Sequence, residues 1–315
     1  MSPLHLLNIA AAALTELPPK RIPVGGQAVI EGVLMKGPEH WGLAVRQPDG
    51  RICLKSWLGS DWLKNGVWKW PVIRGFATMV EMMRIGMRAL SMSADISLGE
   101  EEKISPWEMA LSIGAALIGV VGIFLALPMF ISEFITSHFA LSHVGKNIVE
   151  GVTRGVIFIA YIAAISMWKD IARVFEYHGA EHKTINAYEN GAPLTPEETA
   201  KYSRIHRRCG TSFLLVVIVV SIMVFSIVGG GSVLWRVGSR VVLLPIVIGL
   251  SYEFIRGASN SETWGKACIK PALSLQYITT REPSADQLEV ALAALDVALD
   301  PNKDNTGGEP TDGTD

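Results

Sequence analysis

The sequence predicts a mainly α-helical integral membrane protein with about four transmembrane helices and a small N-terminal cytosolic β-subdomain. Of its 315 residues, 49% are hydrophobic and 18% charged, whereas soluble domains usually carry about 25% charged residues. Two stretches, 109–132 and 209–235, contain no charged side chain. Because about 20 apolar helical residues cross a bilayer core, each stretch is long enough to span a membrane. Strand-like alternation and turn signals are confined to the N-terminal part.

The N-terminal 60 residues divide into a leader and a β-subdomain. Residues 1–23 form a loose leader without a basic n-region or a cleavage site, so we do not expect a signal peptide. The segment Gln47-Pro48-Asp49-Gly50 is a good hairpin turn between two strand-like runs. The turn and the two strand-like runs together predict a cytosolic β-subdomain over 24–60. The glycines between 25 and 32 fit no phosphate-binding loop, and we expect tight turns to explain them.

Residues 61–106 form an interfacial amphipathic helix region. Tryptophans, a phenylalanine and several methionines are interspersed with lysines and arginines there. This mixture is typical of a helix lying in the membrane interface. A cytosolic helix packed on the β-subdomain explains it equally well.

A four-span membrane domain follows over 107–256. The spans are placed at 107–132, 150–168, 210–231 and 236–254. The second and fourth have short uncharged cores, so each could be a half-buried helix. Both can cross the bilayer fully if three arginines extend their guanidinium groups to the lipid headgroups. Those arginines are Arg154, Arg236 and Arg240. Glu253 and Arg256, at the end of the fourth span, are expected to form an interfacial salt bridge.

Loop charge predicts the orientation. The cytosolic loop 172–208 and the region before 106 are rich in Lys and Arg, whereas the connection 133–147 contains only Lys146. Positive loops stay in the cytoplasm. We therefore expect a multi-pass protein of the bacterial inner (plasma) membrane with both termini in the cytoplasm, although Arg236 and Arg240 run against this asymmetry.

The C-terminal part is expected to be polar and cytosolic. A tail over 257–300 contains an amphipathic helix that begins with a capping box at Ser284 and Gln287. Its apolar stripe consists of Leu288, Leu292, Leu295 and Leu299. Residues 301–315 lack apolar material and are expected to form a disordered tail.

Composition excludes several classes of protein. The net charge is −2 and no basic stripe with interleaved aromatics occurs, so nucleic acid is not an expected partner. Three widely spaced cysteines indicate a reducing compartment and no disulfide framework. Polar groups inside the spans are few, which makes a transporter less favoured than a membrane-embedded hydrolase or an accessory protein.

One motif carries the chemistry. In His178-Gly179-Ala180-Glu181-His182 the two imidazoles lie at i and i+4 on one helix face, with Glu181 beside them. This is the H-x-x-E-H order of inverted zinc hydrolases, in which two histidines hold the metal and the glutamate acts as base. His206 and Cys209 precede the third span, and the loop joining spans two and three brings them to the same membrane face.

The pattern predicts Zn²⁺ bound by His178, His182, His206 and Cys209, with Glu181 as the catalytic residue. Four protein ligands would make a closed structural site, whereas three, namely His178 and His182 with either His206 or Cys209, leave a position for water. The alternative without metal has the two histidines of the motif hydrogen-bonded to Glu181 and Tyr177, and Cys209 as a small apolar residue.

Three motifs together resemble the YqhQ-like bacterial membrane family. They are 25–33 (GGQAVIEGV), 176–184 (EYHGAEHKT) and 208–213 (RCGTSF), with 279–283 (TTREP) as a further match. The resemblance covers about residues 22–300. The family is a domain of unknown function labelled a predicted metal-dependent enzyme, which implies the metal-site interpretation of the H-x-x-E-H motif. Arg207 stands where the family pattern has a proline, which loosens the backbone before Cys209.

Two hypotheses follow, and the sequence leaves open whether the chain is an enzyme. The first is a membrane-embedded metal-dependent hydrolase acting at the cytosolic interface on a membrane-associated peptide or a lipid-linked substrate. The second is a non-catalytic accessory or scaffold protein for protein insertion or envelope maintenance. There the His/Glu cluster is a structural metal site or a hydrogen-bonded knot. The expected partners are the lipid bilayer and, in the second hypothesis, a membrane protein.

Overall fold

A computed structural model describes residues 22–60, 66–98, 105–139, 141–228, 231–259, 261 and 264–303. The predicted leader, up to residue 21, and the predicted disordered tail, from residue 304, lie outside the described residues.

The N-terminal part forms a four-stranded antiparallel sheet in the order β1-β2-β3-β4. The strands are β1 Gly25–Val29, β2 Gly32–Lys36, β3 His40–Arg46 and β4 Ile52–Leu58. The predicted hairpin turn is confirmed between β3 and β4, where Gly50 donates to the Gln47 carbonyl at 2.9 Å. Gly50 has φ +86°, a left-handed conformation that favours glycine.

Helices and the segments that connect them make up the rest of the described chain. In order they are α1 Ile73–Leu98, α2 Pro106–Val121, α3 Leu127–Ser137, α4 His143–Ile165, α5 Lys169–Glu189, α6 Pro196–Thr199, α7 Gly210–Val228, α8 Val233–Ser259, α9 Trp264–Ser274, α10 Gln276–Thr279 and α11 Ala285–Leu299. A π-helical segment, Gly122–Ala126, joins α2 to α3 into one continuous rod.

Four of these helical rods are long and apolar enough to cross a membrane. They are Ala110–Ser137, His143–Ile165, Gly210–Val228 and Leu234–Ser259, which confirms the four predicted spans. The second and fourth have 23 and 26 residues. Because about 20 residues suffice, both are long enough to cross fully.

The charged residues of the spans do not behave as predicted. Arg240 was expected to reach the headgroups, but it is 5% exposed and forms an ion pair with Glu150 at 2.7 Å inside the bundle. Glu253 pairs with Arg74 of α1, at 2.6 Å to Nε, in place of the expected Arg256. Charged residues of the second and fourth spans therefore lie together inside the bundle, where Glu150 pairs with Arg240 and Arg154.

The sheet is covered on both faces. On one face Ile85 and Ala89 of α1 pack against Leu34 and Leu43, which agrees with the alternative that this helix packs on the β-subdomain. Helix α1 also contacts the fourth span, where a Cβ at Gly75 would lie 2.7 Å from Tyr252. The sheet is thus joined to the membrane domain through α1.

The opposite face of the sheet packs against α5 and α11. The predicted capping box is confirmed, with Ser284 N donating to Gln287 Oε1 at 2.9 Å. The predicted leucine stripe is wrong in part, because Leu299 is 38% exposed. Small residues complete the buried face instead, since a Cβ at Gly42 would lie only 2.5 Å from the Ala294 carbonyl. Helix α11 is therefore a core element and not an appended tail.

Candidate metal centre

The H-x-x-E-H motif lies on α5, which begins shortly after the second span ends at Ile165. One side of α5 belongs to the core with the sheet and α11, through Tyr177, Ala180 and Ile185. Gly179 lets the chain near Arg281 approach, because a Cβ there would lie 1.9 Å from the Arg281 carbonyl. This packing fixes the rotation of α5 about its axis and so the direction of its two motif histidines.

Three of the four predicted ligands converge. Donor atoms of His178, His182 and Cys209 all lie within 4.8 Å of one another. The Cys209 sulfur is 3.3 Å from His178 Nε2. Tetrahedral Zn²⁺ with the usual bond lengths would hold a sulfur and a nitrogen ligand about 3.5 Å apart. The spacing between Cys209 Sγ and His178 Nε2 therefore suits two ligands of one zinc ion.

Both imidazoles are oriented by backbone carbonyls from other segments. His178 Nδ1 lies 2.8 Å from the Thr279 carbonyl, and His182 Nδ1 lies 2.6 Å from the Arg204 carbonyl. Because a carbonyl oxygen only accepts, Nδ1 carries the proton in each ring. Each Nε2 therefore keeps a lone pair, the arrangement typical of metal-binding histidines. Burial also lowers the pKa of His182, which favours its neutral form.

The sulfur is oriented by Thr211, which lies two residues later in the first turn of α7. The Thr211 backbone N–H donates to Cys209 Sγ at 3.4 Å, and the Thr211 hydroxyl lies 3.0 Å from it. Cys209 is 8% exposed. The thiol is thus held towards His178 and away from solvent.

Glu181 is buried against the sheet. Its side chain contacts β1, because a Cβ at Gly26 would lie 2.9 Å from both its Cγ and its Oε1. Its Oε2 has no hydrogen-bond partner among the described residues. Burial raises the pKa of this carboxyl to about 7, with the nearby His178 acting in the opposite direction. At neutral pH the group therefore exists in both protonation states.

His206 lies outside the convergent group. Its Nε2 is 3.6 Å from the Glu189 carboxylate, and its ring centroid is 5.7 Å from that of His182. The Gln276 amide holds its backbone, accepting from the His206 N–H and donating to its carbonyl, both at 2.8 Å. The described arrangement therefore offers three ligands and places the fourth predicted one beside a carboxylate.

The hydrogen-bond partners expected without a metal are also different from those observed. Tyr177 donates to Glu31 at 3.2 Å and not to a motif histidine. Glu31 also pairs with Arg173 of the same helix.

Sequence reasoning missed the residues that support the site. Gly26 and Thr279 lie in motifs that the sequence analysis quoted, but their roles depend on contacts across the fold. Gly26 was expected to serve a turn, and instead it lies inside β1 where the strand approaches Glu181. No local pattern marks Arg204 or Gln276. The roles of these two residues are visible only in the folded structure.

The fold and this cluster define a class: a four-span membrane protein with a buried His/Cys group beside one end of the spans. The model of the family described as "Protein of unknown function (DUF1385)" matches residues 70–301. The chain is 35% identical over 301 residues to the "Uncharacterized protein YqhQ" of Bacillus subtilis (strain 168), covering 87% of this chain and 92% of that protein. The chain therefore belongs to this YqhQ-like family of unknown function. No solved structure matches it.

Proposed function

We propose that the protein is a membrane-embedded, zinc-dependent hydrolase. The observation that carries this proposal is the convergence of His178, His182 and Cys209, with both imidazoles held through Nδ1 so that each Nε2 keeps its lone pair. Glu181, buried next to this group with an unpartnered oxygen, adds a proton acceptor.

The donor set fits zinc. Two imidazole nitrogens and one thiolate are ligands that Zn²⁺ prefers, and a site with three protein ligands keeps one position for a reactant. A zinc ion there would supply Lewis-acid chemistry for cleaving an acyl or phosphoryl bond. His206 is not needed for this arrangement.

Glu181 would move the proton. Its pKa of about 7 lies close to the pH at which a bacterial cytoplasm operates, and a general base is most effective under that condition. The contact with Gly26 of β1 keeps water away from the carboxyl and thereby sustains the raised pKa. The sheet therefore contributes to the chemistry.

The position of the cluster indicates the substrate. Cys209 immediately precedes the third span, and α5 begins at Lys169, just after the second. A reacting group near these donors would lie at the membrane surface. The substrate class is thus a membrane-associated peptide or a lipid-linked group, attacked at the cytosolic face of the bacterial inner membrane.

A second candidate is a non-catalytic accessory protein in which the same cluster is structural. The observation that favours it is that the cluster ties distant segments together: Arg204 accepts from His182 through its carbonyl and donates to the Thr280 carbonyl through its side chain. In that case the sheet and α11 would dock a membrane-protein partner for protein insertion or envelope maintenance.

The zinc content of the purified protein shows whether the cluster binds a metal or is held by hydrogen bonds alone. Purified protein reconstituted in nanodiscs is analysed for zinc as the wild type and as His182→Ala, Cys209→Ser, His206→Ala and Glu181→Gln. We expect about one zinc per chain in the wild type, in Glu181→Gln and in the matched control His206→Ala, and little in the other two. A wild type without zinc would overturn the metal proposal.

Turnover separates hydrolase from scaffold. A fluorogenic peptide and an ester-linked fluorophore, each carrying a lipid anchor, are presented in the same nanodiscs. We expect the zinc-containing wild type to cleave one of them and Glu181→Gln to lose activity by about a hundredfold or more, the usual contribution of a general base. Equal rates for these two proteins, with zinc present in both, would favour the scaffold.

A further inference from the structure

The four-span bundle encloses a cluster of charged side chains at the end remote from the metal centre. Glu150 is 2% exposed and Arg240 is 5% exposed. The helix of Glu150 begins at His143 and that of Arg240 begins at Val233. Each residue therefore lies seven residues along its helix, about 10 Å from the helix end. Charged groups inside a membrane are costly and usually mark a functional site.

Glu150 is the centre of this cluster and accepts from three guanidinium groups. Arg154 Nη2 donates to Oε1 at 2.8 Å. Arg240 donates to Oε1 at 2.8 Å and to Oε2 at 2.7 Å. Arg236 Nη2 donates to Oε2 at 3.2 Å. A single buried carboxylate thus faces three positive charges.

The cluster keeps an excess of positive charge. Within the described part of the chain, the other carboxylate in contact with it is Glu133, which accepts from Arg236 at 2.7 Å. The Glu133 side chain is 58% exposed, and such exposed ion pairs are weak. The buried charges therefore sum to a net positive value, which an anion would neutralise.

All four spans meet at this cluster. Asn147 of α4 donates to the Phe225 carbonyl of α7 at 2.9 Å, and the Arg240 guanidinium lies 4.9 Å from the Phe225 ring centroid. The first span contributes through Phe124, whose carbonyl accepts from Arg154 Nε at 2.9 Å. Phe124 lies in the π-helical segment Gly122–Ala126, and π-helical turns inside α-helices are frequent at functional sites.

Two guanidinium groups retain donors for a ligand. The contacts of Arg154 within the described chain use Nε and Nη2, and those of Arg236 use Nη1 and Nη2. Their side chains are 13% and 14% exposed, so neither is completely enclosed by the bundle. An arginine presents its donors in a planar fork that matches a phosphate group.

We propose that this cluster binds the phosphate group of an anionic phospholipid. The excess positive charge provides the affinity, and the free donors of Arg154 and Arg236 provide the contacts. Glu150 and Arg240 lie about 10 Å inside the helix ends, and Arg236 lies only three residues after the start of its helix at Val233. A headgroup of the neighbouring leaflet therefore reaches the cluster from that end. This proposal is independent of the metal centre, which lies at the other end of the same spans.

The test uses the full chain in nanodiscs of phosphatidylcholine doped with phosphatidylglycerol. Bound lipid is counted by native mass spectrometry after release from the discs. We expect retention of phosphatidylglycerol over phosphatidylcholine in the wild type, and a loss of about tenfold in affinity for Arg236→Gln, which removes one charge-assisted contact. The matched control Lys146→Gln, a basic residue near the same helix end whose side chain is outside the cluster, is expected to behave as the wild type.

Glu133→Gln is expected to bind the anionic lipid several-fold more tightly, because it frees Arg236 from a competing carboxylate. A misfolded variant would not produce this gain. Equal retention of both lipids by the wild type, or equal losses in Arg236→Gln and Lys146→Gln, would overturn the proposal. Displacement of the lipid by excess inorganic phosphate would assign the site to free phosphate and overturn the lipid assignment.

Discussion

At the scale of single residues, the charge state of Glu181 depends on its neighbours in space. The residues beside it in sequence are Ala180 and His182, yet its carboxyl is desolvated by β1, more than 140 positions away in the chain. Desolvation of a carboxyl favours the protonated form. The same residue type on an exposed helix face would be fully ionised at neutral pH. The proton-acceptor role proposed for Glu181 therefore depends on the fold.

Substituting Glu181 by Gln should change how stability depends on pH. The carboxyl has a pKa of about 7 in the folded protein, against 4.5 as its ordinary value. As pH rises from about 4.5 to 7 the unfolded chain releases this proton first, so the wild type loses stability over that window. Above pH 7 this effect lowers the free energy of unfolding of the wild type by on the order of 3 kcal/mol.

We therefore expect metal-free Glu181→Gln to match the wild type near pH 4.5 and to exceed its melting temperature at pH 8. Thermal unfolding in detergent, measured across this range, tests the expectation. Parallel curves for the two proteins would show that the carboxyl titrates normally in the folded state.

At the scale of elements, some of the structure was predictable from local signals. The β3–β4 turn followed from turn chemistry at Asp49 and Gly50, and the four spans followed from runs of apolar residues without charge. Contacts between distant segments were not predictable, because the composition of one segment does not identify a partner about 100 residues away. Thr279 beside His178 and Arg240 beside Glu150 are examples.

The contact between β1 and α5 leads to a prediction at Gly26. A Cβ there would lie 2.8 Å from the Leu34 carbonyl and 2.9 Å from Glu181 atoms, so Gly26→Ala forces a shift. We expect a loss of about 1–3 kcal/mol, typical of overpacking. Gly25→Ala is the matched control, since nothing lies within 4 Å of a Cβ at that neighbouring strand position. Chemical denaturation monitored by tryptophan fluorescence compares the two, and equal losses would show that the close packing is relieved elsewhere.

At the scale of the whole molecule, the candidate metal centre joins parts that are far apart in the chain. His178 and His182 come from α5, and Cys209 comes from the start of the third span. The two carbonyls that hold the imidazoles belong to the segment before that span and to the end of α10. An ion bound to all three ligands would link α5, which packs on the sheet, to the third span. Its removal should therefore lower the stability of the whole molecule.

Zinc should therefore stabilise the intact protein in a way that depends on its three ligands. A ligand that binds only the folded state at 100 times its dissociation constant adds about 2.7 kcal/mol. We expect the melting temperature of the wild type in nanodiscs to fall on chelation and to recover when zinc is restored. In His182→Ala chelation should have little effect. His206→Ala should respond as the wild type does, because His206 faces Glu189 and not the convergent donors. A response lost equally in both variants would place His206 among the ligands and make the site a closed, structural one.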